Sequence, residues 1–335
     1  MKLTRYGHLI IDEVGASLKK KRRRILIITK EKKEEMPLKI IRDVVIVGKV
    51  SMTSELIKTL MESGIDLLIA TPFGRPIARV VGAKAGGTAE NRYEQYKSLS
   101  DERGIYIAKA VILGKIRNQC SNMRYYSKSR RATPEISMRL YEVYEVLKRK
   151  MENLESEKFS NLEEARSKIM VYEGECANFY WDSMKFVFEK WNFPGRMQNG
   201  NDAANICLNI CYNLLSCQIW KYIIRFGLDP FLGYLHVERP GRLSLVFDFM
   251  EPFRPMVDRF VASFLRSVDV KIFERKKNAV LMELRQAFFN EFLQEKLEYK
   301  GRKMLMETVM FYYLQEIVSF LRRHKDSITM PYMPW

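Results

Sequence analysis

Apolar and polar positions follow two regimes along the chain. Over the first 84 residues short β-branched runs recur: Leu9-Ile10-Ile11, Ile25–Thr29, Val44–Val47, Leu67–Ala70 and Ile77–Val81. Gly7, Gly15, Gly48, Gly64 and Gly74 punctuate them, which predicts strands joined by tight turns. Thr53–Ser63 interrupts the series with Leu56, Ile57, Leu60 and Met61 at helical spacing. Gly82 and then Gly86-Gly87 mark the expected boundary between a β domain of residues 1–84 and a second domain of residues 85–335.

From Thr88 onward the pattern is that of long helices. Ser160-Asn161-Leu162-Glu163 has capping-box spacing and predicts a helix running to about Trp191. Asn201-Asp202 caps another over Ala203–Phe226, with Gly227 as its stop. That segment is apolar nearly all round, as a central helix is. Further helices are expected within Pro255–Val268, Asn278–Tyr299 and Arg302–Arg323, and Glu152–Lys158 reads as a charged turn or helix end. The ending Pro331-Tyr332-Met333-Pro334-Trp335 predicts a non-helical tail. The fold class is therefore α+β, a small β-rich domain followed by a larger all-helical one.

Composition adds a partner to this outline. Hydrophobic residues make up 47% of the 335 and aromatics 12%, enough to build a core and exclude wholesale disorder. No apolar stretch reaches the ~18 residues of a membrane helix. Met1–Gly15 carries no apolar block of the secretory kind. Five cysteines, without zinc-site spacing and mostly among apolar neighbours, are expected to be buried and reduced, which fits a cytoplasmic protein. The formal net charge of +17 points to a polyanion, most simply nucleic acid.

That charge has two foci. Residues 1–84 hold a net +9, with the run Lys19–Arg24 at its centre, read as a solvated hairpin tip. The remainder holds +8, and residues 103–131 carry eight basic side chains and no acidic one. Within that window Lys109, Lys115, Arg117, Arg124, Lys128, Arg130 and Arg131 alternate with Tyr106, Tyr125 and Tyr126. Together with Arg242 and Arg254 these are the expected nucleic-acid-binding residues.

Candidate chemistry gathers around one histidine. His8 lies in a strand region and His324 in a basic helix end, whereas His236 sits in the Gly/Pro-bounded loop Gly233–Arg242. Asp248 follows twelve positions later and Glu251 fifteen, among Leu245, Val246, Phe247, Phe249, Met250 and Phe253. A helix would place both carboxylates on one face, and Pro252 would kink it. Carboxylates in such surroundings need a cation or good hydrogen bonds. Two readings stand: a metal ion, or ion pairs with Arg254 or Arg259. Glu173 falls on the apolar stripe Ile169, Tyr172, Cys176, Ala177, Tyr180 and Met184. Gly174 beside it costs a helix ~1 kcal/mol against alanine and would let a ligand or backbone approach. For Glu173 too, a metal and a buried arginine partner are both open. One imidazole with two or three carboxylates suits Mg²⁺ or Mn²⁺, and such an ion can assist in-line displacement at a phosphodiester.

Several stretches together resemble one family, the CRISPR-associated adaptation endonuclease/integrase that inserts new spacers. They are Gly114-Lys115-Ile116-Arg117-Asn118-Gln119, Tyr172-Glu173-Gly174 through Tyr180, Asp202-Ala203-Ala204-Asn205 through Leu215, and Gly233-Tyr234-Leu235-His236. The most specific is Leu245-Val246-Phe247-Asp248-Phe249-Met250-Glu251-Pro252-Phe253-Arg254-Pro255 with Val257-Asp258-Arg259, and Gly74-Arg75-Pro76 fits the family's domain junction. The likeness spans almost the whole chain in the expected order. It implies a homodimer held through the β domains, a small partner protein bridging two dimers, and DNA as substrate. It implies a metal on Glu173, His236 and Glu251, with Asp248 beside them as a fourth catalytic residue. Glu251 stands where some members have aspartate, which lengthens its reach. The implied reaction is metal-dependent joining of the 3′-hydroxyl ends of spacer DNA into the CRISPR repeat. The alternatives are a metal-dependent nuclease on branched DNA or RNA in repair, and a scaffold whose DNA binding ignores EDTA.

Overall fold

The computed structural model describes residues 2–82, 89–129, 133–237 and 239–334. The expected boundary around residues 84–87, together with Arg130, Arg131 and Trp335, lies outside the described residues.

The chain opens with β1 (Lys2–Leu3), β2 (His8–Ile11), β3 (Ser17–Lys21), β4 (Arg24–Ile28), β5 (Lys33–Pro37), β6 (Asp43–Ile46), β7 (Ser51–Met52), helix α1 (Ser54–Glu62), β8 (Asp66–Ala70) and β9 (Pro76–Val80). They form a five-stranded sheet, β1-β2-β6-β8-β9, and a four-stranded one, β5-β4-β3-β7. In the larger sheet β2, β6 and β8 run parallel, with antiparallel strands at both edges. Alternation along these strands divides the core. Leu9, Ile11, Val44, Ile46 and Leu67 meet Leu18, Ile25 and Ile27 of the second sheet and Leu56 and Leu60 of α1. Ile10, Val45 and Leu68 point the other way, into the helical core. Burial on both faces is why these strands read as unbroken apolar runs. The hydrophobic pattern does not predict β3 and β5. Their sequences, Ser17–Lys21 and Lys33–Pro37, are charged, and only Leu18 of the two is fully buried. The Lys19–Arg24 run is the exposed β3–β4 hairpin tip.

The helices that follow fall into two groups. The first is α2 (Ala89–Ser98), α3 (Glu102–Ser129), α4 (Pro134–Ser156), α5 (Leu162–Val187) and α6 (Ala203–Arg225). The second is α7 (Ser244–Met250), α8 (Arg254–Ser267), α9 (Val270–Arg275) and α10 (Lys277–Ala287), the last extended by a π turn. A 3₁₀ turn, Glu251–Phe253, separates α7 from α8 at the expected Pro252 kink. Helix α3 packs against α4, α5, α8 and this turn, and α6 against α7 and α8. Asp202 caps α6 and Gly227 ends it at φ +72°. The box opening α5 sits one residue later than expected. Asn161 Oδ1 accepts from the Glu164 N–H at 2.9 Å, and the Glu164 carboxylate accepts from the Ser160 N–H at 2.8 Å.

The C-terminal region corrects two expectations. The helices expected within Asn278–Tyr299 and Arg302–Arg323 are parted by a hairpin, β10 (Lys296–Tyr299) and β11 (Arg302–Leu305), before α11 (Met306–Leu321). Leu297 and Tyr299 are buried while Lys296 and Glu298 are exposed, a period of two. Lys300 and Gly301 turn the chain at φ +53° and +70°, as a two-residue hairpin requires. All five cysteines are buried and free. Among the described residues no helix is long and apolar enough to cross a membrane.

Candidate metal centre

Asp248 is fully buried on α7 and organises the histidine loop. Its Oδ2 accepts from the backbone N–H of Tyr234 at 2.5 Å and of Leu235 at 3.0 Å. Its Oδ1 accepts from the His236 N–H at 3.0 Å and lies 2.6 Å from His236 Nδ1. Gly233 permits this closeness, since a Cβ there would stand 2.7 Å from the His236 carbonyl and 2.9 Å from Asp248 Oδ2. From α5, Arg166 donates to the Gly233 and Tyr234 carbonyls, both at 2.7 Å. Asp248 thus ties Nδ1 and leaves Nε2 as the imidazole nitrogen able to meet a ligand, the arrangement of a metal-binding histidine oriented by a carboxylate.

Glu251 begins the turn after α7 and is 3% exposed. Its Oε1 is 2.9 Å from Arg254 Nε, and its Oε2 is 2.7 Å from Lys115 Nζ on α3. Burial works to raise its carboxyl, but Arg254 and Lys115, helped by His236, hold it down at about 2. Lys115 Nζ also contacts Glu173 of α5. Burial works against the ammonium, yet Glu251 and Glu173 keep its pKa above the ordinary lysine value. Both open readings of the carboxylates are therefore narrowed. Glu251 does pair with Arg254, and the partner of Glu173 is a lysine rather than an arginine. Gly174 faces open space. A Cβ added there would meet no neighbouring atom within 4 Å, and the Glu173 side chain is itself partly exposed.

Among the described residues no three His, Cys, Asp or Glu side chains stand close enough to share a metal. The position between the carboxylates of Glu173 and Glu251 is held by the Lys115 ammonium. The donors nevertheless fit a hard divalent ion. Two carboxylates from separate elements already converge on one cation. The imidazole whose Nδ1 is tied to Asp248 acts electrostatically on Glu251, and its other nitrogen is a donor of a kind that Mg²⁺ or Mn²⁺ takes.

Behind Arg254 lies a second buried carboxylate. The Arg254 guanidinium is 4.9 Å from the centre of the Tyr212 ring, and the Tyr212 hydroxyl donates to Asp258, as does that of Tyr180 at 2.9 Å. Burial pushes the Asp258 carboxyl up to about 6. The native state then holds a proton that the unfolded chain has already lost above pH ~4. Stability from this group is present below that pH and is lost as pH rises through about 6, by ~3 kcal/mol. Asp258→Asn keeps one accepting oxygen for the two hydroxyls, like the protonated acid turns a donor on the other side, and removes the ionisation. Urea unfolding should show the variant gaining on the native chain between about pH 4 and 7; parallel stability curves would show that Asp258 does not titrate there.

The expected nucleic-acid residues have mixed fates. Lys109 Nζ donates to the carbonyls of Glu155 and Glu157 at 2.7 Å, anchoring the end of α4. Lys115 is consumed in the carboxylate bridge. Arg117 lies 4.3 Å over the Tyr332 ring, Arg124 lies 4.8 Å over Tyr141, and Arg242 lies 5.6 Å over Phe247. Arg254 pairs with Glu251, and Lys128 is exposed. Lys109 and Lys115 of the acid-free window thus cap or neutralise groups of α3's neighbours. Composition missed this because it does not say which face a cation takes. It also missed Arg166, which lies outside every matched stretch, and Tyr212, which lies inside one but was given no role.

The chain as a whole is similar to proteins of one known family. The family model described as CRISPR associated protein Cas1 matches residues 9–295. A relative from Korarchaeum cryptofilum, named CRISPR-associated endonuclease Cas1, is 58% identical over the full length of both chains. The chain belongs to the Cas1 family of CRISPR-associated endonucleases. Two solved structures share the fold. A casposase bound to integration product matches with a TM-score of 0.78 at 23% identity, over 97% of this chain and 93% of the other. A Cas1 protein from Thermotoga maritima matches with a TM-score of 0.73 at 19% identity, over 96% and 99%.

Proposed function

We propose that this chain is a divalent-metal-dependent DNA endonuclease and integrase of CRISPR adaptation, which lets the 3′-hydroxyl of a spacer duplex attack a phosphodiester of the CRISPR repeat. The observation that carries this reading is the convergence of Glu173 and Glu251 on one cation, beside an imidazole tied to Asp248. Glu173, Glu251 and His236 Nε2 would hold Mg²⁺ or Mn²⁺. Such an ion, when bound, stabilises charge on the oxygens of the displaced phosphodiester.

The chain's own residues prepare that chemistry. Asp248 fixes the tautomer and direction of His236 through four hydrogen bonds to one loop. Arg254 and Lys115 keep Glu251 anionic across ordinary pH. The same two cations offset the repulsion that an acidic pair would present to a polyanion. The partial exposure of the Glu173 side chain gives the site its access. Family membership extends the reading to a homodimer held through the β region, to a small partner protein joining two dimers, and to a cytoplasmic setting.

The test is a strand-transfer assay with a spacer duplex, a repeat-containing duplex, and Mg²⁺ or Mn²⁺. Joined products that vanish with EDTA are expected. Cleaved but never joined products would instead make the protein a nuclease of branched substrates. DNA binding with no metal-dependent product at all would make it a scaffold.

A further inference from the structure

Residues 328–334 have no regular secondary structure, yet Ile328 and Met333 are buried. The segment is held mainly through its backbone. Its first residue, Ile328, donates its N–H to the Tyr106 hydroxyl at 3.1 Å, and Thr329 donates to Glu316 at 3.2 Å. Further on, the side chain of Asn118, 1% exposed on α3, grips it at two points. Asn118 Nδ2 donates to the Pro331 carbonyl at 2.9 Å, and Asn118 Oδ1 accepts from the Met333 N–H at 2.9 Å. Ser121 Oγ donates to the Met333 carbonyl at 2.5 Å, and Arg259 donates to the Pro334 carbonyl at 2.8 Å.

The same side chains hold the turn that carries Glu251. Asn118 Nδ2 also donates to the Pro252 carbonyl at 2.9 Å. Arg259 bonds Asn122 Oδ1 at 2.8 Å, and Asn122 Nδ2 donates to the Pro255 carbonyl at 2.6 Å. Pro252 has no N–H, so the turn lacks one of the backbone bonds that would otherwise fix it. At Gly114 the three pieces close on one another. A Cβ there would stand 3.3 Å from both Met330 and Pro252. Tail, α3 and turn form one packed unit, with Asn118 as the shared partner of tail and turn.

We propose that residues 328–334 form a positioning strap for the Glu251–Phe253 turn. By filling the second side of Asn118 and closing on Gly114 beside Pro252, the strap fixes the direction in which Glu251 presents its carboxylate. It deepens the proposed metal site and rests on that reading only for its consequence in metal binding, not for its effect on the turn.

The experiment uses a chain ending at Ser327, with a synthetic peptide of residues 326–335 added back. Amide hydrogen exchange is read at Glu251, Phe253 and Arg254, the amides of the turn and its cap, and, as an internal reference, along α6. Mn²⁺ affinity is read by calorimetry without DNA. Truncation should speed exchange at the turn about tenfold while α6 keeps its protection. Mn²⁺ affinity should fall about tenfold, the size expected for a lost supporting contact of a metal ligand. The peptide should restore both. Unchanged exchange at the turn, or loss spread equally over α6 with no rescue, would overturn the strap. If the shortened chain does not fold, Ser121→Ala in the full chain decides by the same local readout, and no change at Glu251, Phe253 and Arg254 overturns it. A full-length chain that binds no Mn²⁺ would instead sink the metal-site reading, while the exchange result still decides the strap.

Discussion

Glu173→Ala should reduce strand transfer by about three orders of magnitude and leave the fold intact. The size follows from the proposed role. Losing one of three protein ligands removes several kcal/mol of stabilisation of developing charge, and each ~1.4 kcal/mol is tenfold in rate. The retained fold follows from the surroundings. The Glu173 side chain is 22% exposed, beside a glycine that faces open space, and its ion pair is with Lys115. Removing it leaves Lys115 paired with Glu251 at 2.7 Å, so no buried charge is stranded. Single-turnover strand transfer, with circular dichroism and duplex binding as controls, reads both halves. Full activity of the variant with Mn²⁺ would remove Glu173 from the site.

Lys115→Met should destabilise the metal-free protein by about 3 kcal/mol, at the lower end for breaking a buried ion pair. The lower end applies because Glu173 keeps some solvent and Glu251 keeps Arg254, whereas the Lys115 side chain itself is only 12% exposed. The sign then reverses in a telling way. A divalent ion supplies the same counter-charge to the same carboxylates, so Mn²⁺ should raise the stability of Lys115→Met by more than it raises that of the native chain. Urea unfolding with and without Mn²⁺ measures the difference. A variant as stable as the native chain without metal, and no more responsive with it, would mean that the two carboxylates do not converge on one cation in solution.

Legibility varied with how local the signal was. The strands β2, β6 and β8 were legible because burial on both faces leaves no polar alternation to confuse. Glu173, His236, Asp248 and Glu251 were legible as chemistry because carboxylates and a loop histidine amid apolar neighbours need partners, and because their motifs resemble a family. The division of labour was less visible. Only the structure separates Asp248, which binds three backbone N–H groups and Nδ1, from Glu251, which faces cations. Lys115 was legible as a cation in a basic window but not as the bridge between carboxylates on two other elements, since that contact spans residues far apart in the chain. The hairpin β10–β11 was hidden because four residues satisfy either period. Where the tail docks was not legible, because much of its hold runs through backbone groups that every sequence carries.

The central claim is that Glu173, His236 and Glu251 hold one catalytic divalent ion. Anomalous diffraction from crystals soaked in Mn²⁺ tests it most directly. The expected result is a single strong peak bonded to Glu173, Glu251 and His236 Nε2, with the Lys115 ammonium moved away from the carboxylates. A structure with Lys115 still between Glu173 and Glu251, and manganese absent or bound elsewhere, would contradict it.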